Sequence, residues 1–384
     1  MKLRWSLFLA VISVAVLLAG SARTSRRPRY GGTLRVEVGA AVRSLDPAGA
    51  SADTEEAAAR SEIGALLYDQ RNSDGTFAGV AGSGAFHISA WESGKHLSLA
   101  ANENYRAGRA FVDSIDIQMG RPAKDRLLDL EVGKTDFAEI PPEEARRASE
   151  RGVRVSTSKP QELVALVFVT GRPVAENARA REALGRSIDR AAIVNFILQK
   201  EGEPAGGLLP QWSNGTAFLF STSADTGGAK DLWSQIGASP RIVLGYDSGD
   251  SLTQAIAERI AVNARDAGIA LTVEPIASPA PSRPNYDARL VRMPMTSSRP
   301  REALASFQAA LAPLAGLDAA PLPVAASSEQ IYERERSIVG GYRVVPLVWL
   351  PRVYGLGARV RDWKVPAAGE GWPFTDVWLE QESQ

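Results

Sequence analysis

The chain has 384 residues, with 44 lysines and arginines against 44 aspartates and glutamates, two histidines and no cysteine. The missing cysteine excludes disulfides, thiolate metal sites and cysteine nucleophiles, and the balanced charge gives no support to nucleic-acid binding. The length exceeds one comfortable hydrophobic core, so two lobes are expected.

Lys2 and Arg4 form a short basic start, and residues 6–20 are an apolar run interrupted only by Ser13. At about 1.5 Å per residue the run would reach about 22 Å, short of a hydrocarbon core of about 30 Å. That favours a removable export signal over a spanning helix. Leu17-Leu18-Ala19-Gly20 leads into Ser21, where lipidation of an exported chain would need a cysteine. Residues 1–22 are therefore expected to be a signal peptide, either cut after a small residue such as Ala22 or kept as an N-terminal anchor. Arg23, Arg26, Arg27 and Arg29 make residues 23–29 a basic leader, read either as solvated charge or as a contact for anionic lipid.

Next, Leu34, Val36 and Val38 alternate with Thr33, Arg35 and Glu37 as a half-buried strand would. Ser44-Leu45-Asp46-Pro47 predicts a turn. Residues 54–69 have a helical pattern through Ala58, Ile63, Leu66 and Leu67, capped by Asp53 or Thr54, and Asn72-Ser73-Asp74-Gly75 is a second turn signal. A strand opens near Phe86 and returns as a hairpin over 97–100 across Ser93-Gly94, and 112–119 predicts another. Residues 123–132 predict a helix stopped by Gly133, followed by strands over 136–140 and 163–169.

The clearest unit comes later. Ile242, Val243, Leu244 and Tyr246 predict a strand, and Leu252, Ile256, Ile260 and Ala264 share one helix face after the turn at 248–250. Beyond Gly268, Ile269, Leu271 and Val273 return, which gives the crossover of a parallel sheet. A last strand covers 344–350 and runs towards Tyr354 and Trp363. The stretches 275–284 and 311–327, rich in proline with serine or alanine, are expected as loops. The alternation of strands and helices implies an α/β fold.

Catalytic signals are sparse. His87 and His96 fall on a hairpin, where they are read as surface or cross-strand residues rather than a base or metal pair. No Gly-x-Ser-x-Gly elbow, phosphate loop or His-Glu-x-x-His motif is present. Glu143-Glu144 reads as an acid pair that a helix dipole favours. No cofactor is expected, and an enzyme is the third-ranked reading. Binding candidates are Gly39, Ala40 and Ala41, just past the first strand, where a ligand could approach backbone amides at a cleft. Trp212 either stacks on a ligand or packs against Phe218 and Phe220. Arg292 and Arg299 either meet an anionic ligand or are exposed loop arginines. Met293 and Met295 either line the site or alternate into core.

Residues 30–48, YGGTLRVEVGAAVRSLDPA, resemble the mature start of the family 5 extracellular solute-binding proteins, receptors of ABC importers for peptides, nickel chelates and some sugars. The pattern Asn102, Tyr105, Gly108, Arg109, Asp113 and Ile115 is similar to that family. So are RLLDLEVGKTDFAEIPPEEA, the Ile-Asp-Arg helix with its GEPAGGLLP loop, and the crossover unit at 241–276. The resemblance implies a two-lobed periplasmic-binding-protein fold of class II type, with mixed sheets flanked by helices. Lobe I would be residues 30–170 with 340–384, lobe II residues 171–339, and two crossings between them the hinge.

Two departures qualify it. Between Tyr68-Asp69 and Gly84-Ala85-Phe86 this chain has only residues 70–83, so most of the family's extra domain is missing. The stretch 286–300 has no acid after Asp287, so a peptide ammonium is expected to meet no counter-charge there. The resemblance implies a small-molecule solute as ligand, an ABC permease as partner, a monomer, and a periplasmic or otherwise extracytoplasmic location. A clamp that has lost transport and serves as a periplasmic interaction or sensor protein is the alternative.

Overall fold

The structure, a computed structural model, describes residues 27–46, 54–68, 70–71, 77–78, 82–214, 219–237, 240–277, 285–318 and 320–380. The expected signal peptide, Arg23, Arg26, Pro47, the 72–75 turn, Phe218 and most of 275–284 lie outside the described residues.

Fifteen strands and eight principal helices make up the described residues. In chain order they are β1 (Thr33–Glu37), α1 (Thr54–Leu67), β2 (Gln70–Arg71), β3 (Phe77–Ala78), β4 (Phe86–Glu92), β5 (His96–Ala101), β6 (Ser114–Gln118), α2 (Ala123–Glu131) and β7 (Phe137–Ile140). There follow α3 (Ala145–Glu150), β8 (Arg154–Phe168), α4 (Ala178–Ser187), β9 (Glu203–Pro204), α5 (Thr226–Ser234), β10 (Ile242–Asp247), α6 (Ser251–Asp266), β11 (Leu271–Ile276) and β12 (Ala288–Pro294). The chain closes with α7 (Pro300–Ala315), α8 (Ser328–Val339), β13 (Val344–Leu356), β14 (Val360–Arg361) and β15 (Trp378–Leu379).

One mixed sheet of 11 strands runs through the molecule in the order β11-β10-β12-β8-β13-β7-β1-β6-β5-β4, with β9 also on β13. β1 is parallel to both β6 and β7, and β10 is parallel to both β11 and β12. The predicted crossover at 242–276 is present, with Asp250 capping α6 through the amides of Leu252 and Thr253. Pro275 is tolerated in β11 because that strand is the sheet edge, where a missing donor breaks no ladder.

The sheet joins two halves through one antiparallel pair. β8 covers 15 residues, about 50 Å at strand rise. Its first part pairs with the end of β13 (Thr157 with Val353, Arg154 with Leu356), and its last part with the start (Val167 with Val344). The expected strands 163–169 and 344–350 are thus fragments of two much longer ones. Residues 154–162 are polar and half-exposed, and prolines at 160, 346 and 351 read as breaks. The neighbouring strand holds both segments extended regardless. Pro160 sits opposite Pro351, and the register shifts on both sides of Pro351. Two residues that cannot donate to the ladder therefore mark where the chain passes between halves.

Each half has its own core. Leu34, Val36, Leu66, Phe86, Leu97, Ile117 and Phe137 pack with Tyr354, Trp372 and Phe374 from the C-terminal segment. In the other half, Leu166, Phe168, Leu244 and Leu290 face α4 and α6. Leu163, Ala165 and Val167 alternate to the opposite sheet face, against α7 and α8. Residues 311–315, expected as loop, finish α7, which ends at the left-handed Gly316.

Candidate functional site

Parallel strands place loops together at their carboxyl ends. In the first half these ends carry the 38–42 segment after β1 and the Pro141–Glu144 turn after β7. In the second, Asp250 follows β10. In open α/β sheets such ends line ligand crevices.

Arg292, on β12, gathers acids from three other elements. Its Nη2 is 2.8 Å from Glu162 Oε2 on β8, and its Nη1 3.3 Å from Asp250 Oδ2. Glu143, from the first half, lies within electrostatic reach of both Arg292 and Asp250. Its carboxyl is pushed up chiefly by burial, with Arg292 pulling it down and Asp250 pushing it up. Glu143 Oε2 is buried without a hydrogen-bond partner among the described residues. Two carboxylates therefore contact one guanidinium, with the Glu143 carboxyl of the first half within electrostatic reach of them. An anionic ligand would be repelled there, and a cationic group would be accommodated.

Beside the crossing, Arg352 follows Pro351. Its backbone amide donates to Ser158 Oγ at 2.9 Å, and its guanidinium pairs with Glu62 of α1 and Glu139 of β7. Burial opposes the charge, but the two carboxylates hold Arg352 well above its ordinary pKa. This network ties α1 and β7 to the middle of β13.

The expected binding residues separate. Arg292 is a paired strand residue and not an exposed loop arginine, because β8 offers Glu162 on the same face, two residues along from the Val164 that lies opposite it. Arg299 stays exposed beside Glu302. Met293 and Met295 are buried, in the apolar cluster that takes in Phe307, Trp349 and Ala368. Trp212 donates from Nε1 to Pro160 O at 2.7 Å, and Lys159 stands 5.4 Å over its ring. Its ring packs with the α7–α8 face of the sheet, opposite to the face of Leu290 and Val164 on which Arg292 and Glu162 fall by alternation. Trp212 thus belongs to the crossing and not to the Arg292 cluster. Ala40 is buried, and its carbonyl accepts from Gly120 N at 3.2 Å. A side chain at Gly39 would meet the Arg126 guanidinium at 3.1 Å. His87 is exposed, whereas His96 Nε2 is 2.5 Å from Asp116 Oδ1 on the next strand.

Sequence reasoning missed Glu143, Glu162 and Asp250 as one group. The 286–300 stretch carries no such acid, and the acids arrive instead from β8 and from the turns after β10 and β7. Asp250 was findable as a residue just past a parallel strand. Glu162 was not, since only the β8–β12 pairing of Arg292 with Val164 and Pro294 with Glu162 brings it near.

The sequence matches the family model of bacterial extracellular solute-binding proteins, family 5 Middle, over residues 48–311. Among curated relatives, it is 26% identical over 125 residues to the oligopeptide-binding protein AppA of Bacillus subtilis, covering 32% of this chain and 23% of that protein. It is 25% identical over 203 residues to the probable D,D-dipeptide-binding periplasmic protein DdpA of Escherichia coli, covering 52% and 39%. The chain thus spans well under half the length of these relatives. In fold it is similar to DppA from Helicobacter pylori in complex with the peptide STSA, with a TM-score of 0.72 at 14% identity, covering 92% of this chain and 99% of that one. It is also similar to NikA from Staphylococcus aureus in complex with Ni(L-His)2, with a TM-score of 0.64 at 17% identity, covering 78% and 69%.

Proposed function

The chain belongs to the bacterial extracellular solute-binding proteins, family 5, and from that premise we propose that it captures a small solute between its two halves and delivers it to an ABC permease. The proposed lobes are residues 30–170 with 340–384 and residues 171–339, and β8 and β13 serve as the hinge at Pro160 and Pro351. Ligand contacts made by both halves would favour the closed form over the open one. The receptor works outside the cytoplasm as a monomer and transforms nothing chemically.

The observation that carries this reading is the meeting of Glu143 from one half with Asp250 and Arg292 from the other. A cluster with more carboxylates than guanidinium groups suits a solute with a cationic head, such as the ammonium of a short peptide. The acid supplied in this way does not come from the 286–300 stretch at all.

The test is thermal unfolding and small-angle scattering of residues 23–384 with short peptides, their N-acetylated forms, nickel–histidine and oligosaccharides. A ligand at a hundred times its Kd stabilises by about 2.7 kcal/mol, several degrees for a chain of this size. The expected result is a shift and a smaller radius of gyration with free peptides, both lost on N-acetylation. A melt that no compound moves, with unchanged scattering, would sink the proposal.

A further inference from the structure

A half-open cavity lies in the half that carries β10–β12. It has a volume of about 190 Å³ and is lined by Arg186, Arg190, Phe220, Ser223, Asp225 and Tyr342 among others. Tyr342 precedes β13, and Arg190 reaches Pro346. None of the lining residues belongs to the Arg292 cluster.

Arg190 is 2% exposed. Its Nε donates to Pro346 O at 2.8 Å and its Nη1 approaches Ile188 O at 3.5 Å. Both acceptors are neutral carbonyls, and among the described residues no carboxylate pairs with this guanidinium. Burying a cation without a counter-charge is costly. Burial lowers its pKa to about 10, which leaves it ionised at neutral pH.

Asp225, the acid on the lining, is committed elsewhere. Its Oδ1 caps Gly228 N at 2.8 Å and its Oδ2 lies 3.2 Å from Arg186, which also holds Glu182 at 2.6 Å. The lining is also aromatic, with the Phe220 and Tyr342 rings 4.6 Å apart. Tyr342 has φ 54°, a left-handed conformation that an aromatic residue rarely adopts. Gly185 leaves room for that ring, since a Cβ there would stand 2.6 Å from it.

We propose that this cavity is a second ligand site, which takes a small single-ring carboxylate with its charge on Arg190 and its ring on Phe220 and Tyr342. Size and charge choose that class. A cavity of about 150 Å³ already holds a benzene ring, and drug-sized pockets start at about 300 Å³. One guanidinium without an acid partner calls for one negative charge.

Calorimetric titration of residues 23–384 with benzoate tests the site, with benzyl alcohol as the ring without charge and inorganic phosphate as the charge without ring. The expected result is one saturable benzoate site at least tenfold tighter than either control. Ser223→Phe, at the exposed rim, should weaken benzoate at least tenfold while the protein keeps a cooperative melt. Arg190→Gln should do the same. Because that substitution alters a buried side chain, Ser223→Phe decides the matter if Arg190→Gln fails to fold. The proposal is overturned by absent benzoate binding, by equal or tighter binding of either control, or by benzoate affinity unchanged in Ser223→Phe.

Discussion

Asp136 and Glu335 are each 1% exposed, one in each half of the molecule, yet burial acts on them with opposite results. Asp136 accepts from Arg35 through its backbone amide and guanidinium, and from Arg359 through two guanidinium nitrogens. Burial alone would raise its carboxyl, but the two arginines hold it below its ordinary value. Among the described residues Glu335 has only peptide donors, Leu209 N at 2.8 Å and Leu208 N, and no arginine. Burial dominates there and pushes its carboxyl up to about 7. Depth in the fold does not decide whether a carboxylate keeps its charge. The presence of a counter-charge does.

Removing the paired acid challenges this contrast most severely. Asp136→Ala should cost about 3–5 kcal/mol, because it removes a buried carboxylate that accepts five hydrogen bonds from Arg35 and Arg359. Equilibrium urea unfolding measures this, and a loss under about 1 kcal/mol would show that water replaces the carboxylate at little cost.

The next effect is a pH dependence of opposite sign at the two sites. Asp136, depressed from 3.8, contributes stability present above that value and lost as pH falls through its folded pKa. Glu335, raised from 4.5 to about 7, makes the native state bind the extra proton. Its contribution is full below 4.5 and disappears as pH rises towards 7. Glu335→Gln should remove a decline of about 3 kcal/mol across that window. Urea midpoints collected from about pH 4.5 to 7.5 test it, and equal slopes in variant and parent would contradict the assignment.

The smallest effect separates the carboxylate from its helix. Ser327 caps α8 in a reciprocal capping box with Gln330. Ser327→Ala should cost about 1 kcal/mol at every pH and leave the Glu335 slope intact. A change in slope would mean that the start of the helix, and not the buried acid, carries the titration.

Local pattern made much of the fold legible. The alternation of Leu34 and Val36, the hairpin at Ser93-Gly94 and the spacing from Leu252 to Ala264 each depend on near neighbours in sequence. The centre of the sheet was harder to see. Lys159-Pro160 and Leu350-Pro351 are extended because each segment supports the other across a long separation in sequence. The candidate site failed for the same reason. Arg292 was visible, but its partners are set by strand order, and strand order is a property of the whole sheet. Met293 and Met295 show the converse, since alternation already allowed them a place in the core, where they lie buried.

The position of Phe137 has a consequence for the growing chain. Its ring lies 4.8–5.6 Å from those of Tyr354, Trp363, Trp372 and Phe374, all from the last part of the sequence. The half that begins first therefore cannot fill its centre until synthesis is nearly over. The half built from the middle of the chain has most of its core residues to hand sooner. Emergence from the ribosome would then reverse the usual order, in which N-terminal units settle first. Closing so long a loop adds little to the equilibrium cost, since that cost grows only with the logarithm of length. The delay is one of timing, and the last aromatic residues act as the keystone that locks the opening strands into place.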